Sequence, residues 1–158
     1  MQTQSVRRTR RPRAPSSADT SVLLNPILPT SLKDRPILGT VQVPKNDPLS
    51  YGLIVKGNCM APEIVDGDTI VVSPSTDVTV GMIVAFSFRD GRMGAVKRLT
   101  HLPRPPKPDD EVEVLIRVEM NNPPQTYFLP WSAIDKMHAV NGVVRGGEFI
   151  AIESRRAS

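Results

Sequence analysis

Two glycine-bearing dipeptides each separate a pair of apolar runs short enough to be strands. Gly146-Gly147 separates Val140–Arg145 from Glu148–Ile152, and Asp90-Gly91 separates Met82–Phe88 from Met93–Leu99. Each is a short apolar run, a pair of residues that tolerates positive φ, and a second short run, the pattern of a β-hairpin. Other runs repeat the theme: Ile37–Val43, Leu53–Val55, Thr69–Val72 and Tyr127–Leu129 are brief and apolar, and Glu111–Val118 alternates polar with apolar. With 16 prolines and only 4% aromatic residues, the composition suits turns and short strands better than helices. Pro103–Asp110 is a proline-rich, extended loop, and Asn121-Asn122-Pro123-Pro124 is a turn. One segment, Ile134–Val140, is expected to make a helical turn. No internal repeat is present. These features predict a mostly β fold of short strands and hairpins, as a sheet or a partly closed barrel.

At 158 residues the chain suits one domain plus a tail. A domain of this size buries roughly two thirds of its unfolded surface, enough for a core without staples. The net charge of +4 resides in the first 20 residues, where Arg7, Arg8, Arg10, Arg11 and Arg13 face only Asp19. That stretch, with Ala14-Pro15-Ser16-Ser17 behind it, has too little apolar surface to offset its chain entropy. The expected organisation is a basic, disordered tail over residues 1–34, a domain over 35–153, and a short C-terminal tail over 154–158. Within the tail, Val22-Leu23-Leu24 and Ile27-Leu28 form a small apolar segment, broken by Pro26 and Pro29, that lies on the domain or on a partner. The single cysteine excludes an intrachain disulfide and suits a reducing compartment. No apolar run approaches the roughly 18 residues of a membrane span. The arginine-rich start lacks the apolar stretch of a secretory signal. A cytoplasmic protein without a membrane anchor is expected.

The chemistry concentrates in one stretch. Gly57-Asn58-Cys59-Met60 is followed by Pro62, by Asp66-Gly67-Asp68 and by the apolar run Ile70-Val71-Val72; Lys97 follows in Ala95-Val96-Lys97-Arg98-Leu99. A thiol and an amine within hydrogen-bond reach can act as nucleophile and base. The base must be neutral, a form that an apolar pocket favours, and a thiol needs less activation than a hydroxyl. Each residue also has a plainer reading. Cysteine is often a small buried residue, and a lysine beside an arginine on a strand is usually a solvated edge residue. Met60 is expected in the core and Pro62 in a turn. Asp66-Gly67-Asp68 reads as a tight turn in which an aspartate caps backbone amides. No His or Cys joins it at ligand spacing, so no metal is assigned there, and no cofactor is expected. His101 and His138 are the only histidines, and nothing in the sequence sets either beside Cys59.

These motifs resemble the active-site frame of the LexA/UmuD self-cleaving peptidases: Gly-x-Ser-Met-x-Pro, Gly-Asp before a strand, then Val-Lys-Arg-Leu. The 38 residues from Cys59 to Lys97 are close to the family's separation of serine and lysine. The likeness spans roughly residues 35–153 and includes, more loosely, Asn121-Asn122-Pro123 and Val140-Asn141-Gly142-Val143-Val144. It implies a LexA/signal-peptidase-like β fold that dimerises, a dyad of Cys59 and Lys97 framed by Gly57, Asn58, Met60, Pro62, Asp66, Gly67 and Asp68, and a role in the bacterial DNA-damage (SOS) response or in phage or mobile-element regulation. In such proteins a RecA–DNA filament promotes self-cleavage at an Ala-Gly or Cys-Gly bond.

The chain departs from that pattern. Cys59 stands where the family has serine, and no Ala-Gly or Cys-Gly pair precedes it. Pro36-Ile37-Leu38-Gly39-Thr40-Val41 resembles the lead-in to the scissile bond, but continues Gln42-Val43-Pro44, and a proline there fixes φ and removes an N–H. The connection to Cys59 is short, and no helix-turn-helix precedes the β region. In that respect the chain is closer to UmuD, with its short arm. Whether it is a working peptidase is left open. One expectation is a Cys/Lys dyad with impaired or absent self-cleavage. The other is a non-catalytic dimeric module that binds a partner such as a DNA polymerase, its five arginines tethering it to nucleic acid through phosphate contacts. A signal peptidase would need a membrane anchor.

Overall fold

The computed structural model describes residues 20–26, 39–43, 47–91 and 94–155. Among these residues ten strands follow one another: β1 Thr20–Pro26, β2 Gly39–Val43, β3 Tyr51–Ile54, β4 Thr69–Ser73, β5 Ile83–Phe88, β6 Ala95–His101, β7 Leu115–Asn121, β8 Pro124–Pro130, β9 Ile134–Arg145 and β10 Glu148–Ala151. No α-helix occurs among the described residues, only a single 3-10 turn at Trp131–Ala133. The strands pair in the order β2-β1-β3-β4-β9-β5-β6-β7-β8, with β10 added to β9. Every pairing is antiparallel except that of β1 with β3. The protein is therefore a nearly all-β, mostly antiparallel sheet.

Burial follows the sequence pattern. Thr69-Ile70-Val71-Val72-Ser73 is buried along its whole length, as expected of a β-branched strand between two neighbours. β5 is covered on both faces: Ile83 and Ala85 belong to one apolar cluster with Met60, Ile64, Ile70 and Val96, while Val84 and Phe86 belong to another with Leu99, Ile116, Val118 and Ile134. The period of two distributes successive β5 residues between the clusters. β9 is the spine. Val143 pairs with both Ile70 and Ile150, and Ala139 with both Ser73 and Val84, so β4 occupies one edge of β9 while β5 and β10 share the other. At the far end β8 is exposed over Pro124–Phe128.

Several expectations change here. Ile134–Val140 is not a helical turn but the first half of β9; Ile134, Ala139 and Val140 are buried in its ladders with β5 and β4, and the 3-10 turn lies just before it. Gly146-Gly147 does form a two-residue hairpin turn, with φ of 59° and 84° and Arg145 opposite Glu148. Asp90-Gly91 also lies between paired strands, but the last β5–β6 pair is Phe86 with Ala95. Ser87 and Phe88 pair with β9 instead, so that connection is longer than the sequence implied. The strand expected from Glu111 begins at Leu115. Val22–Leu24, expected to lie on the domain or on a partner, is part of β1, which pairs with β2 and β3. Arg7, Arg8, Arg10, Arg11, Arg13 and Ile27-Leu28 lie outside the described residues. No helix among the described residues is long and apolar enough to cross a membrane.

Candidate active site

The turn after β3 carries the Cys59 motif. Gly57 has φ of 90°, a conformation that L side chains rarely adopt. Its N–H donates to Asp66 Oδ1 at 2.6 Å, and the Asp66 N–H donates to Asn58 Oδ1 at 2.9 Å. Two short polar side chains thus tie the start of the turn to its end. Gly67, φ 88°, donates its N–H to the Val55 carbonyl, and the Asp68 carbonyl accepts from Val55 in return. Asp68 is buried; its carboxylate accepts from the Val65 N–H at 2.8 Å and from Arg145 at 2.9 and 2.7 Å. Burial pushes the Asp68 carboxyl up, but the Arg145 hydrogen bonds, the Val65 N–H and the Arg145 charge outweigh it and hold the pKa below the ordinary value. Met60 is buried in the core, whereas Pro62, after a cis peptide from Ala61, is exposed.

Lys97 arrives from β6. Its Nζ lies 3.2 Å from Cys59 Sγ and donates to the Val96 carbonyl, also at 3.2 Å. The thiol has a second, long contact to the same carbonyl at 3.9 Å. Both residues are half-buried, and both line a cleft of about 160 Å³ with Val55, Met60, Ile64 and Val96. The structure therefore brings a thiol and an amine into contact in an apolar recess, the pairing that nucleophile activation by an adjacent base requires.

The histidines are elsewhere. His101 is exposed at the end of β6, and His138 on β9 is 3.1 Å through Nδ1 from the Tyr51 hydroxyl. Burial, with the nearby Lys136 charge, lowers the His138 pKa. Among the described residues no group of three or more His, Cys, Asp or Glu is arranged to hold a metal.

Sequence reasoning missed the residues that hold the turn from outside. Arg98 is 1% exposed, not solvated; its Nη2 reaches both Glu63 oxygens, at 2.7 and 2.6 Å, and its Nη1 the Gly81 carbonyl. The Cys59 carbonyl accepts from the N–H groups of Asn121 and Asn122, at 2.9 and 3.0 Å. Arg98 and Asn121 did sit in quoted motifs. Glu63, Arg145 and Arg155 carried no signal, because an isolated charge looks the same whether it is paired or solvated.

The Peptidase S24-like family model matches residues 30–107, a span that contains β2 to β6, the Cys59 turn and Lys97. No curated protein matches the chain. Over residues 30–107 the chain is thus similar to the Peptidase S24-like family, consistent with the LexA/UmuD-like peptidases that its motifs resemble.

Proposed function

We propose that this chain is a LexA/UmuD-type peptidase-fold protein of the bacterial DNA-damage or phage and mobile-element regulatory type, with Cys59 as nucleophile, Lys97 as base, and impaired or absent self-cleavage. The observation that carries the dyad is the 3.2 Å contact between Lys97 Nζ and Cys59 Sγ in the cleft. The Lys97 amine takes the thiol proton, and the sulfur attacks a carbonyl carbon presented in the cleft. The resulting ammonium gives that proton to the departing amide nitrogen. Water, deprotonated by the same amine, then releases the acyl group from sulfur.

Weak action on the chain's own arm is supported by the arm itself. Gly39–Val43, the stretch resembling the lead-in to a scissile bond, is committed to a ladder with β1 at the end of the sheet, and Pro44 follows it. Cleavage needs the reacting atoms within about 3–3.5 Å, so β2 would have to leave its partner first. The same observation favours a second reading: a cytoplasmic, dimeric module without catalysis that binds a polymerase or a RecA–DNA filament, its arginine tail tethering it to nucleic acid.

The test pairs two measurements on the full chain. Alkylation of Cys59 by iodoacetamide is expected to slow several-fold in Lys97→Ala; equal rates in both proteins would sink the dyad. Incubation at alkaline pH, with and without a RecA–DNA filament, is expected to leave the mass intact or nearly so. A fast fragment that vanishes in Lys97→Ala would overturn the claim of impaired self-cleavage.

A further inference from the structure

We propose that Glu63 is a positioning residue for the dyad: gripped by Arg98, its carboxylate sets the Cys59 turn at a fixed distance from the Lys97 strand. The inference rests on the Cys59/Lys97 reading and adds to it a group that touches neither side chain.

Glu63 follows Cys59 by four residues in the same turn, and Arg98 is the residue next to Lys97 in β6. The fork of Arg98 Nη2 onto both Glu63 oxygens, at 2.7 and 2.6 Å, therefore joins the segment that carries the thiol to the segment that carries the amine. Arg98 is itself anchored by Nη1 on the Gly81 carbonyl at 2.7 Å. Asn121, at the end of β7, completes the frame. Its side-chain Nδ2 donates to the Met60 carbonyl at 3.2 Å and to Glu63 Oε1 at 3.1 Å, while its backbone N–H holds the Cys59 carbonyl. Arg155 adds a second cation to Glu63 Oε1 at 3.1 Å.

The reacting side chains have no comparable support. The Lys97 amine contacts the thiol and its neighbour's carbonyl. The separation of sulfur and nitrogen is thus set by main chains, and those main chains are set by the carboxylate. Burial pushes the Glu63 carboxyl up, but hydrogen bonds from Arg98 and Asn121 and the charges of Arg98 and Arg155 prevail, so the group is an anion at neutral pH. Glu63→Gln keeps the shape and removes the charge. The nearly inaccessible guanidinium of Arg98 then lacks its counter-ion, and β6 is free to shift against the turn. A misplacement of about 1 Å is enough to cost reactivity heavily.

The experiment is the iodoacetamide rate at Cys59 as a function of pH in the full chain, for wild type, Glu63→Gln, Lys97→Ala and the double variant. Ile116→Val, in the other apolar cluster, serves as a variant of reduced stability with the pair intact. All proteins are assayed well below their unfolding midpoints. Glu63→Gln is expected to slow alkylation several-fold and to displace the pH profile towards that of Lys97→Ala. The double variant is expected to be no slower than Lys97→Ala alone, and Ile116→Val to keep the wild-type profile. A wild-type profile in Glu63→Gln beside a slowed Lys97→Ala overturns the positioning role alone. Losses that multiply in the double variant, or an equal loss in Ile116→Val, overturn it too. An unchanged rate in Lys97→Ala removes the dyad and this inference together.

Discussion

The turn beside the dyad and the proline-rich loop after β6 each contain an arginine–carboxylate fork, and the two forks are nearly equal in length. Arg98 meets Glu63 at 2.6 Å, and Arg104 meets Asp110 at 2.7 Å. Their settings are opposite. The Arg98 side chain is 2% exposed, whereas that of Arg104 is 56% exposed. Arg98 also spans three segments: the Cys59 turn, the Gly81 turn and β6. Arg104 and Asp110 close one local loop, with Asp110 also accepting the Lys107 N–H. Length alone therefore says little about an ion pair. What matters is what else moves when it breaks, and whether water can replace the lost partner.

The largest effect that would sharpen this contrast is expected from Arg98→Ala. Removing one partner of a buried pair costs about 3–5 kcal/mol, and because Glu63 keeps Arg155 and some exposure, about 3 kcal/mol is expected, read as a lower denaturant midpoint. A loss no larger than that of an ordinary surface variant would erase the distinction between the two regions. An intermediate effect is expected from acid. Glu63 and Asp68 both have folded-state pKa values below their ordinary ones, so the stability they contribute is fully present above the ordinary carboxylate range and is lost as the pH falls through their folded values. Asp68→Asn should therefore flatten the fall of the unfolding midpoint below about pH 4; a fall as steep as that of wild type would show that this carboxylate is not among those responsible. The smallest effect belongs to Arg104→Ala. Asp110 is held down to about 2, chiefly by the Arg104 hydrogen bonds and the Lys107 N–H, yet Arg104 stands in solvent. The unfolding midpoint should not move measurably, and any change should vanish at high salt.

The same contrast explains what the sequence disclosed. Gly146-Gly147 was legible because a two-residue hairpin turn is decided by local backbone chemistry. Cys59 and Lys97 were legible because each sits in a compact motif at a family spacing. Ile134–Val140 was misread because its alternation is irregular, and pairing with β4 and β5 decided its form. β1 was missed because prolines close to its apolar residues suggested a broken segment, whereas the chain needed only a few consecutive residues to bridge β2 and β3. Arg98 was seen only as a letter in a motif. Its burial depends on Glu63, 35 residues away, and a formal charge carries no mark of the partner it will find.

The two backbone N–H groups that hold the Cys59 carbonyl have one more consequence. They grip residue 59 by its main chain and ask nothing of its side chain, which packs against the core and meets polar atoms at Lys97 and, at longer range, the Val96 carbonyl. Position 59 is thus an interchangeable part in a fixed mount: one codon changes the reacting atom from oxygen to sulfur or to nothing, while the mount stays. A lineage can exchange, mute or restore the chemistry of such a fold without having to rebuild it.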